Sequence, residues 1–317
     1  MQPDILFTSA ARPWILGVFL AIGSVLLFVG GPDYYSSRSF KHFWDIGHIV
    51  YFMLFTGLLT RWRFVARMPL SGQWASMLLI TLLSGALIEV LQHGTARTPD
   101  SWDVLRDVTG SLVALVFGYP GSGLRPAALR HSLRVAVLTL LLIQLWPVTR
   151  SLVDEAIARH QFPVLSDFET PFEIDRWTGN AGLSVLGMPS ISRGKLLKLA
   201  LTTDRYSGAT LNHFDGDWRS FTTLNISLYN PDVKPLGITC RIHDVQHTDG
   251  NEEYADRFNR RFLLKQGWNQ LEIDLHAVEE SPAGRHMDMS RIRGLQLFVT
   301  ALPAPRIIYL DNVALSS

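Results

Sequence analysis

The stretch WASMLLITLLSGALIEVL, residues 74–91, holds a single ionisable side chain, Glu89, which lies near its end. A helix rises ~1.5 Å per residue, so about 20 apolar residues are needed to cross a hydrocarbon core of ~30 Å. We therefore predict that Trp74–Leu91 spans a membrane. Other apolar segments approach the same length: Trp14–Gly30, Ile46–Thr60, Val104–Tyr119 and Leu133–Val148. Together these segments predict a membrane α-helical bundle of about five transmembrane helices.

The chain of 317 residues changes character near residue 150. Before that point apolar residues form long runs, and beyond about residue 160 they alternate with polar ones. We predict a transmembrane helical domain over 1–148, a linker over 149–163 and an all-β domain over 164–317. The formal net charge of +1 argues against a nucleic-acid partner. The single cysteine, Cys240, excludes an internal disulfide, and its strand pattern predicts a buried side chain.

Arginines in short loops predict the orientation of the bundle, because such loops stay in the cytoplasm. Two loops are rich in arginine: Arg61, Arg63 and Arg67 follow the second segment, and Arg125, Arg130 and Arg134 follow the fourth. An odd number of crossings then places residue 151 onward outside the cytoplasm. No convincing cleavage site follows the first segment, which we interpret as an uncleaved helix. The expected location is the cytoplasmic (inner) membrane, multi-pass, with the lipid bilayer as a partner.

Polar side chains collect at the predicted external end of the bundle: Asp45, His48, Glu89, Gln92, Arg97, Asp103 and Asp107. Charged groups near hydrocarbon are costly and mark candidate functional residues. His48 and a carboxylate would suit acid–base chemistry, and three carboxylates would suit Mg²⁺ or Ca²⁺. Arg97 would suit a phosphate. The alternative is a buried polar network that only fixes the register of the helices.

The same residues resemble the VanZ-like family of membrane proteins. That family has a His opening one transmembrane helix, Glu-x-x-Gln ending the next, and then an Arg followed six residues later by Asp-x-x-x-Asn-x-x-Gly. Here the pattern is carried by His48, by EVLQ (89–92) and by RTPDSWDVLRDVTG (97–110), within residues 13–120. The lysine that often precedes the His is absent, and Asp107 replaces the Asn. The resemblance implies work at the cell envelope on lipid-linked or surface glycan, and it supplies no reaction.

From Leu165 onward, short alternating runs separated by turn signals predict about nine strands in a sandwich or jelly roll. The alternation predicts these inward side chains: Leu224, Ile226 and Leu228 on one strand, and Ile238, Cys240 and Ile242 on another. Trp218 and Trp268 are expected in the core, because such domains need large apolar residues there. The alternative is that they join Tyr206 and Tyr254 in an aromatic platform for sugar.

The β-domain resembles carbohydrate-binding modules with a galactose-binding-like jelly roll. The shared motifs are DFE (167–169), GK (194–195), GWN (267–269) and YLDNV (309–313). The resemblance implies that the first and last strands pair and often share a structural calcium, with Glu169 and Asp311 as its ligands. The alternative is that these two carboxylates belong to turns at strand ends.

Sugar recognition combines an aromatic platform with polar contacts, and the middle strands are dense in suitable residues. The candidate ligand-binding residues are Tyr206, Arg241, His243, Asp244, Tyr254 and Arg257. An exposed ion-pair cluster is the alternative for the charged members. The two resemblances together imply an envelope protein that binds or processes surface polysaccharide or lipid-linked glycan, and whether it is an enzyme stays open. The other interpretation is a non-catalytic glycan sensor or assembly factor whose bundle is only an anchor.

Overall fold

The computed structural model describes residues 12–28, 31–32, 36–92, 101–118 and 123–317. It divides into two compact units, Met1–Ser151 and Leu152–Ser317. The first unit is helical, and the second is built mainly from β-strands. The change in hydrophobic patterning near residue 150 therefore coincides with a structural boundary.

Each of the five predicted apolar segments overlaps a helix over most of its length. The helices are α1 (Arg12–Leu26), α2 (Arg38–Leu59), α3 (Arg63–Ala66), α4 (Leu70–Gln92), α5 (Ser101–Phe117) and α6 (Ala127–Gln161). Among the described residues, two of them, α4 and α6, are long and apolar enough to cross a membrane by length and composition. This corrects the predicted count of about five spans.

The reason for the smaller count is physical. Helix α2 carries Arg38, Lys41, Asp45 and His48 in its first half, which lowers its hydropathy below that of a spanning helix. Helix α5 has 17 residues and α1 has 15, both short for a hydrocarbon core of ~30 Å.

Small and hydroxylated residues bring α2, α4 and α5 close together. A side chain at Gly110 of α5 would collide with the main-chain oxygen of Ile49 in α2, so only glycine permits this approach. At the next residue of α5, the Ser111 hydroxyl lies 2.7 Å from the Thr56 hydroxyl and 2.6 Å from that of Thr81. Three helices are thus joined by hydroxyl hydrogen bonds inside the unit.

Helix α6 extends for 35 residues and contains Pro147. The segment 149–163, expected as a linker, continues this helix as far as Gln161. Its last part belongs to the second unit, where Asp154 is fully buried against Arg176.

The second unit contains eleven strands, all in its described residues, where about nine were expected. They are β1 (Val164–Ser166), β2 (Trp177–Gly179), β3 (Gly182–Gly187), β4 (Lys195–Leu201), β5 (Tyr206–Leu211), β6 (Thr223–Asn230), β7 (Leu236–Asp244), β8 (Phe258–Leu264), β9 (Gly267–Asp274), β10 (Ile292–Thr300) and β11 (Arg306–Ser316). Two of the strands, β1 and β2, have three residues each, too few to show the alternation by which strands are counted in a sequence. Short helices, α7 (Val245–Asp249) and α8 (Leu275–Glu279), follow β7 and β9.

These strands form two antiparallel sheets, as a β-sandwich requires. One sheet has the order β3-β4-β11-β6-β9 with β1 added to β11, and the other has the order β2-β5-β10-β7-β8. The pairing of β1 with β11 joins the first and last strands, as expected.

The core of the sandwich confirms the predicted inward residues. All six, Leu224, Ile226, Leu228, Ile238, Cys240 and Ile242, are buried in one apolar cluster. Burial raises the pKa of the Cys240 thiol, which keeps it protonated. Trp218 is in this core, but the expectation for Trp268 was wrong, because its side chain is 44% exposed and packs on Tyr229.

Candidate functional site

The helical unit places His48 between two carboxylates. Asp103 and Asp107 are one turn apart on α5, and both face α2. The Nδ1 atom of His48 lies 2.8 Å from Asp107 Oδ1, and its Nε2 atom lies 3.6 Å from Asp103 Oδ2. His48 and Asp107 are almost fully buried. This geometry supplies the paired His and Asp that acid–base chemistry uses.

Arg106 completes this group, although the sequence reasoning did not single it out. Its guanidinium contacts the Asp103 carboxylate and lies 3.3 Å from Asp45 Oδ2. It stands inside the quoted stretch 97–110, one residue before Asp107. Each acid of the group therefore has a basic neighbour within the bundle. A buried polar network that only fixes the register of the helices would have the same arrangement.

The other predicted members of the group lie elsewhere. Gln92 donates from Nε2 to the main-chain oxygen of Leu27 at 2.8 Å, which ties the end of α4 to the end of α1. Glu89 is partly exposed on α4. Arg97 lies outside the described residues. In the part of the chain that the structure describes, no group of three or more His, Cys, Asp or Glu side chains is arranged to hold a metal ion.

In the β-unit, the outer face of the five-stranded sheet carries a complete polar row. Strand pairing aligns one residue from each strand: Thr178, Thr210, Gln296, Arg241 and Asn259. Neighbouring strands lie ~4.8 Å apart, so the row extends across roughly 19 Å. Every member offers a hydrogen-bonding group, and none is fully buried. Such a row can contact successive hydroxyl groups of an extended chain.

A second row beside it contains a glycine and an aromatic ring. It contains Gly208, Phe298, Thr239 and Arg261, again aligned by strand pairing. Phe298 is half-buried and packs edge-on against Tyr206, with ring centroids 5.9 Å apart. Tyr206 is 53% exposed. The two rings and the adjacent polar row give the combination of apolar and polar surface that sugars require.

Arg241 is held in place by a chain of polar groups, of which His247 and Asp244 are buried. Its Nη2 donates to His247 Nε2 at 3.0 Å, and the Nδ1 of that ring lies 3.4 Å from Asp256 Oδ2. Arg285 then joins Asp256 to Asp244 through contacts of 2.6–2.9 Å. Burial is the main cause that lowers the pKa of His247, which keeps Nε2 available as an acceptor. A guanidinium fixed in this way loses little entropy on binding.

Asp244 serves this chain and does not reach the sheet surface. It is fully buried, and its Oδ1 accepts from the His247 main-chain N–H at 3.0 Å, which caps α7. Burial opposes its ionisation, but hydrogen bonds from Arg285 and from main-chain N–H groups lower its pKa overall. Its position is therefore that of a support for Arg241 and His247.

The remaining predicted ligand residues lie at the margin of the same face. The His243 ring covers Gly294, where a larger residue would collide with it. Burial, followed by the nearby Arg241 and Arg257, lowers the pKa of His243 to about 3, so the ring is neutral at pH 7. Arg257 stacks over the ring of Tyr254 at 5.3 Å, and Tyr254 is 72% exposed.

Comparisons with known proteins give structural similarities only. No family model matches the chain, and no curated protein matches it. Among solved structures, the chain is similar to a family 11 carbohydrate-binding module from Clostridium thermocellum in complex with a β-1,3-1,4-mixed-linked tetrasaccharide. The identity is 17%, the match covers 49% of this chain and 94% of that one, and the TM-score is 0.36.

Two further solved structures are similar. An exo-β-agarase is 18% identical over 48% of this chain and 24% of its own, with a TM-score of 0.39. The family 30 carbohydrate-binding module of the cellulosomal cellulase Cel9D-Cel44B of Clostridium thermocellum is 14% identical over 45% of this chain and 91% of its own, with a TM-score of 0.31. These values assign neither a ligand nor an activity to this chain.

The two residues expected to hold calcium are electrostatic neighbours. Burial is the first cause that raises the pKa of Asp311, and the carboxylates of Glu169 and Asp167 add to it. Glu169 Oε1 also accepts from the Lys195 main-chain N–H at 2.7 Å, so part of its capacity is already used. Among the described residues, no group of three or more His, Cys, Asp or Glu side chains is arranged to hold a metal ion, so calcium binding stays a prediction.

Several residues of the sheet face were missed from the sequence. Gln296, Phe298 and Arg261 alternate with buried residues, so their outward direction was predictable from their own strands. Their alignment with Arg241 was not, because it depends on pairing between strands distant in sequence.

Proposed function

We propose that this chain is a membrane-anchored glycan-binding protein of the cell envelope. Its β-unit would bind surface polysaccharide or lipid-linked glycan across the outer face of the five-stranded sheet. The observation that carries this proposal is the polar row that crosses all five strands beside the exposed Tyr206 and Phe298. A row of this length favours a chain of sugars over a single small molecule.

The proposal also covers the helical unit. We assign it to a VanZ-like domain in the cytoplasmic (inner) membrane, with the β-unit outside the cytoplasm. The motif residues support this assignment because α2 and α5 bring His48, Asp103 and Asp107 into one group. Two apolar helices of sufficient length support the membrane location. In this proposal the group around His48 binds or acts on the lipid-linked or phosphate-bearing partner.

Glycan binding is tested with the full chain in detergent micelles and a panel of immobilised surface polysaccharides. The wild type should bind at least one member, and Gln296→Ala should weaken that binding by about tenfold, since leaving the partner of a lost hydrogen bond unsatisfied costs ~1.4 kcal/mol or more. Gln270→Ala is the matched control, because Gln270 lies on β9 of the other sheet and bonds Ser227 at 2.7 Å. Equal loss in both variants, or no binding by the wild type, contradicts the proposed site.

The second candidate function is a non-catalytic glycan sensor or assembly factor anchored by the bundle. The mutual neutralisation of Arg106, Asp103 and Asp45 favours it, because a purely structural network needs nothing more. Conservative substitutions separate the two functions. His48→Gln and Asp103→Asn should abolish the envelope phenotype of a deletion strain if the group acts on a partner. They should leave that phenotype intact, at equal protein levels, if the bundle is only an anchor.

A further inference from the structure

The charges on the outer face of the five-stranded sheet have one sign. Across the outward positions of β2, β5, β7, β8 and β10, all of which the structure describes, there are two arginines and no Asp or Glu. The arginines are Arg241 and Arg261, on adjacent strands β7 and β8. They are diagonal neighbours, a relation that in a sheet places the two residues ~7–8 Å apart. Both guanidinium groups contribute positive charge to this face, and positive charge attracts anions.

Two more arginines flank this face. Arg205 lies over the Tyr206 ring at 5.5 Å, and Arg257 lies over the Tyr254 ring at 5.3 Å. Among the described residues, Arg205, Arg257 and Arg261 have no carboxylate within ion-pair distance. The Glu252 carboxylate interacts electrostatically with Arg257 without forming an ion pair. Arg205, Arg257 and Arg261 therefore keep positive charge that no described carboxylate pairs with directly.

The positions of the arginine side chains also suit a bound anion. The Arg261 guanidinium lies flat on β7, where its Nη2 is 2.5 Å from the position that a Cβ at Gly237 would take. Glycine at 237 thus lets this group rest on the sheet surface. The Arg257 Nε and the His243 Nδ1 are shielded from solvent and have no hydrogen-bond partner in the described part of the chain. Arg241 is already fixed by His247.

We propose, as a deepening of the function proposed above and resting on it, that the glycan is acidic: a polysaccharide carrying carboxylate or sulfate groups. Guanidinium groups bind such anions through paired hydrogen bonds, and the aromatic rings of Tyr206 and Phe298 accept the apolar faces of the sugar rings. A neutral polysaccharide would leave the exposed Arg261 without an anionic partner among the described residues. A protein-derived or lipid-derived anion would not use the aromatic rings in the same way.

The test uses the full chain in detergent micelles with two probes of identical backbone: polygalacturonate oligosaccharides and the same oligosaccharides fully methyl-esterified. The acidic probe should bind at least about tenfold more tightly, the value of one good charge-assisted hydrogen bond. That preference should shrink when ionic strength rises from about 0.05 M to about 0.5 M. Sulfated and unsulfated forms of one galactan provide the same comparison for sulfate.

Variants locate the effect. Arg241→Gln and Arg261→Gln should each reduce the preference for the acidic probe by about tenfold. Arg260→Gln removes the same charge from the neighbouring position of β8, where the guanidinium lies over Phe262 at 5.3 Å, and it should leave the preference unchanged. His247→Gln should weaken acidic binding without removing a charge, because it releases Arg241.

Each outcome is decisive. Equal or tighter binding of the neutral ester overturns the acidic-glycan inference and leaves glycan binding intact. Equal loss in Arg260→Gln and Arg261→Gln overturns it too, because attraction would then come from overall charge. Poly-L-glutamate that binds as tightly as the acidic sugar shows a general anion surface and overturns the glycan class. Binding of no carbohydrate at all defeats the function proposed above, which is a different failure.

Discussion

Replacing Asp154 by Ala removes the only carboxylate that contacts Arg176 at hydrogen-bonding distance among the described residues. Arg176 is 1% exposed and Asp154 is 0% exposed. Three contacts join them: Nε to both carboxylate oxygens at 3.0–3.1 Å, and Nη2 to Oδ1 at 2.8 Å. In the variant, Arg176 keeps the Leu165 main-chain oxygen at 2.9 Å and Glu173 Oε1 at 3.7 Å.

Breaking a buried ion pair by removing one partner costs about 3–5 kcal/mol, because the other charge stays buried. Glu173 offers little relief, since burial raises its pKa to about 7 and it is largely neutral below that pH. We therefore expect Asp154→Ala to lower the free energy of unfolding of the β-unit by about 3–5 kcal/mol. The loss should be larger near pH 6 than near pH 8, where Glu173 is ionised and compensates Arg176 better.

Hydrogen–deuterium exchange of the full chain in micelles measures this change in the core strands β6 and β7. Exchange through global unfolding should accelerate by roughly two to almost four orders of magnitude. Asp217→Ala is the control, because its partner Arg219 is exposed, and exchange should not change. Replacing both partners by apolar residues, Asp154→Leu with Arg176→Met, should restore most of the stability. A loss in Asp154→Ala below ~1 kcal/mol, the range of exposed pairs, would refute the reasoning.

Further predictions concern Glu173, the bundle and calcium. The folded-state pKa of Glu173, about 7, lies above its ordinary value of 4.5. The native state therefore holds this proton more tightly than the unfolded state does. The contribution of Glu173 to the stability of the β-unit is greatest below pH 4.5 and falls until about pH 7. Glu173→Gln should remove this dependence when melting is measured as a function of pH. Gly110→Ala should lower the thermal stability of the bundle by about 1–3 kcal/mol by forcing α5 away from Ile49, and an unchanged melting temperature in micelles would contradict that contact. Calcium should raise the melting temperature of the β-unit, and Glu169→Gln or Asp311→Asn should remove the increase. An unchanged melting temperature of the wild type in calcium would mean that both carboxylates belong to turns at strand ends.

The sequence patterns predicted local features well, because they depend on local alternation. The inward series on β6 and β7 followed from a period of two, and the apolar runs became helices. The Asp154–Arg176 pair joins residues 22 positions apart and has no local signature, which is why it could not be predicted from the sequence. The number of spans was overestimated because charged residues in α2 and α5 were accepted inside apolar runs.

The candidate sites were predicted in part. His48, Asp103 and Asp107 were selected by their cost in an apolar helix, a cost that each residue carries alone. Arg106 was overlooked because a basic residue near two acids in sequence is usually interpreted as part of an exposed ion pair on the helix surface. The row through Gln296 could not be predicted, since a shift of one residue in any strand pairing would dissolve it.

The two candidate sites differ in how their charges are balanced, and this difference assigns their roles. In the bundle, His48 lies between Asp103 and Asp107, and Arg106 contacts Asp103 and approaches Asp45, so the charges already have partners inside the unit. A ligand there must break an existing contact before it binds. On the sheet face, by contrast, Arg261 is exposed and has no carboxylate partner among the described residues. An anion can therefore bind it without displacing an acid. Binding is therefore expected first at the sheet face, and any chemistry in the bundle requires a partner strong enough to displace an acid from His48 or Arg106.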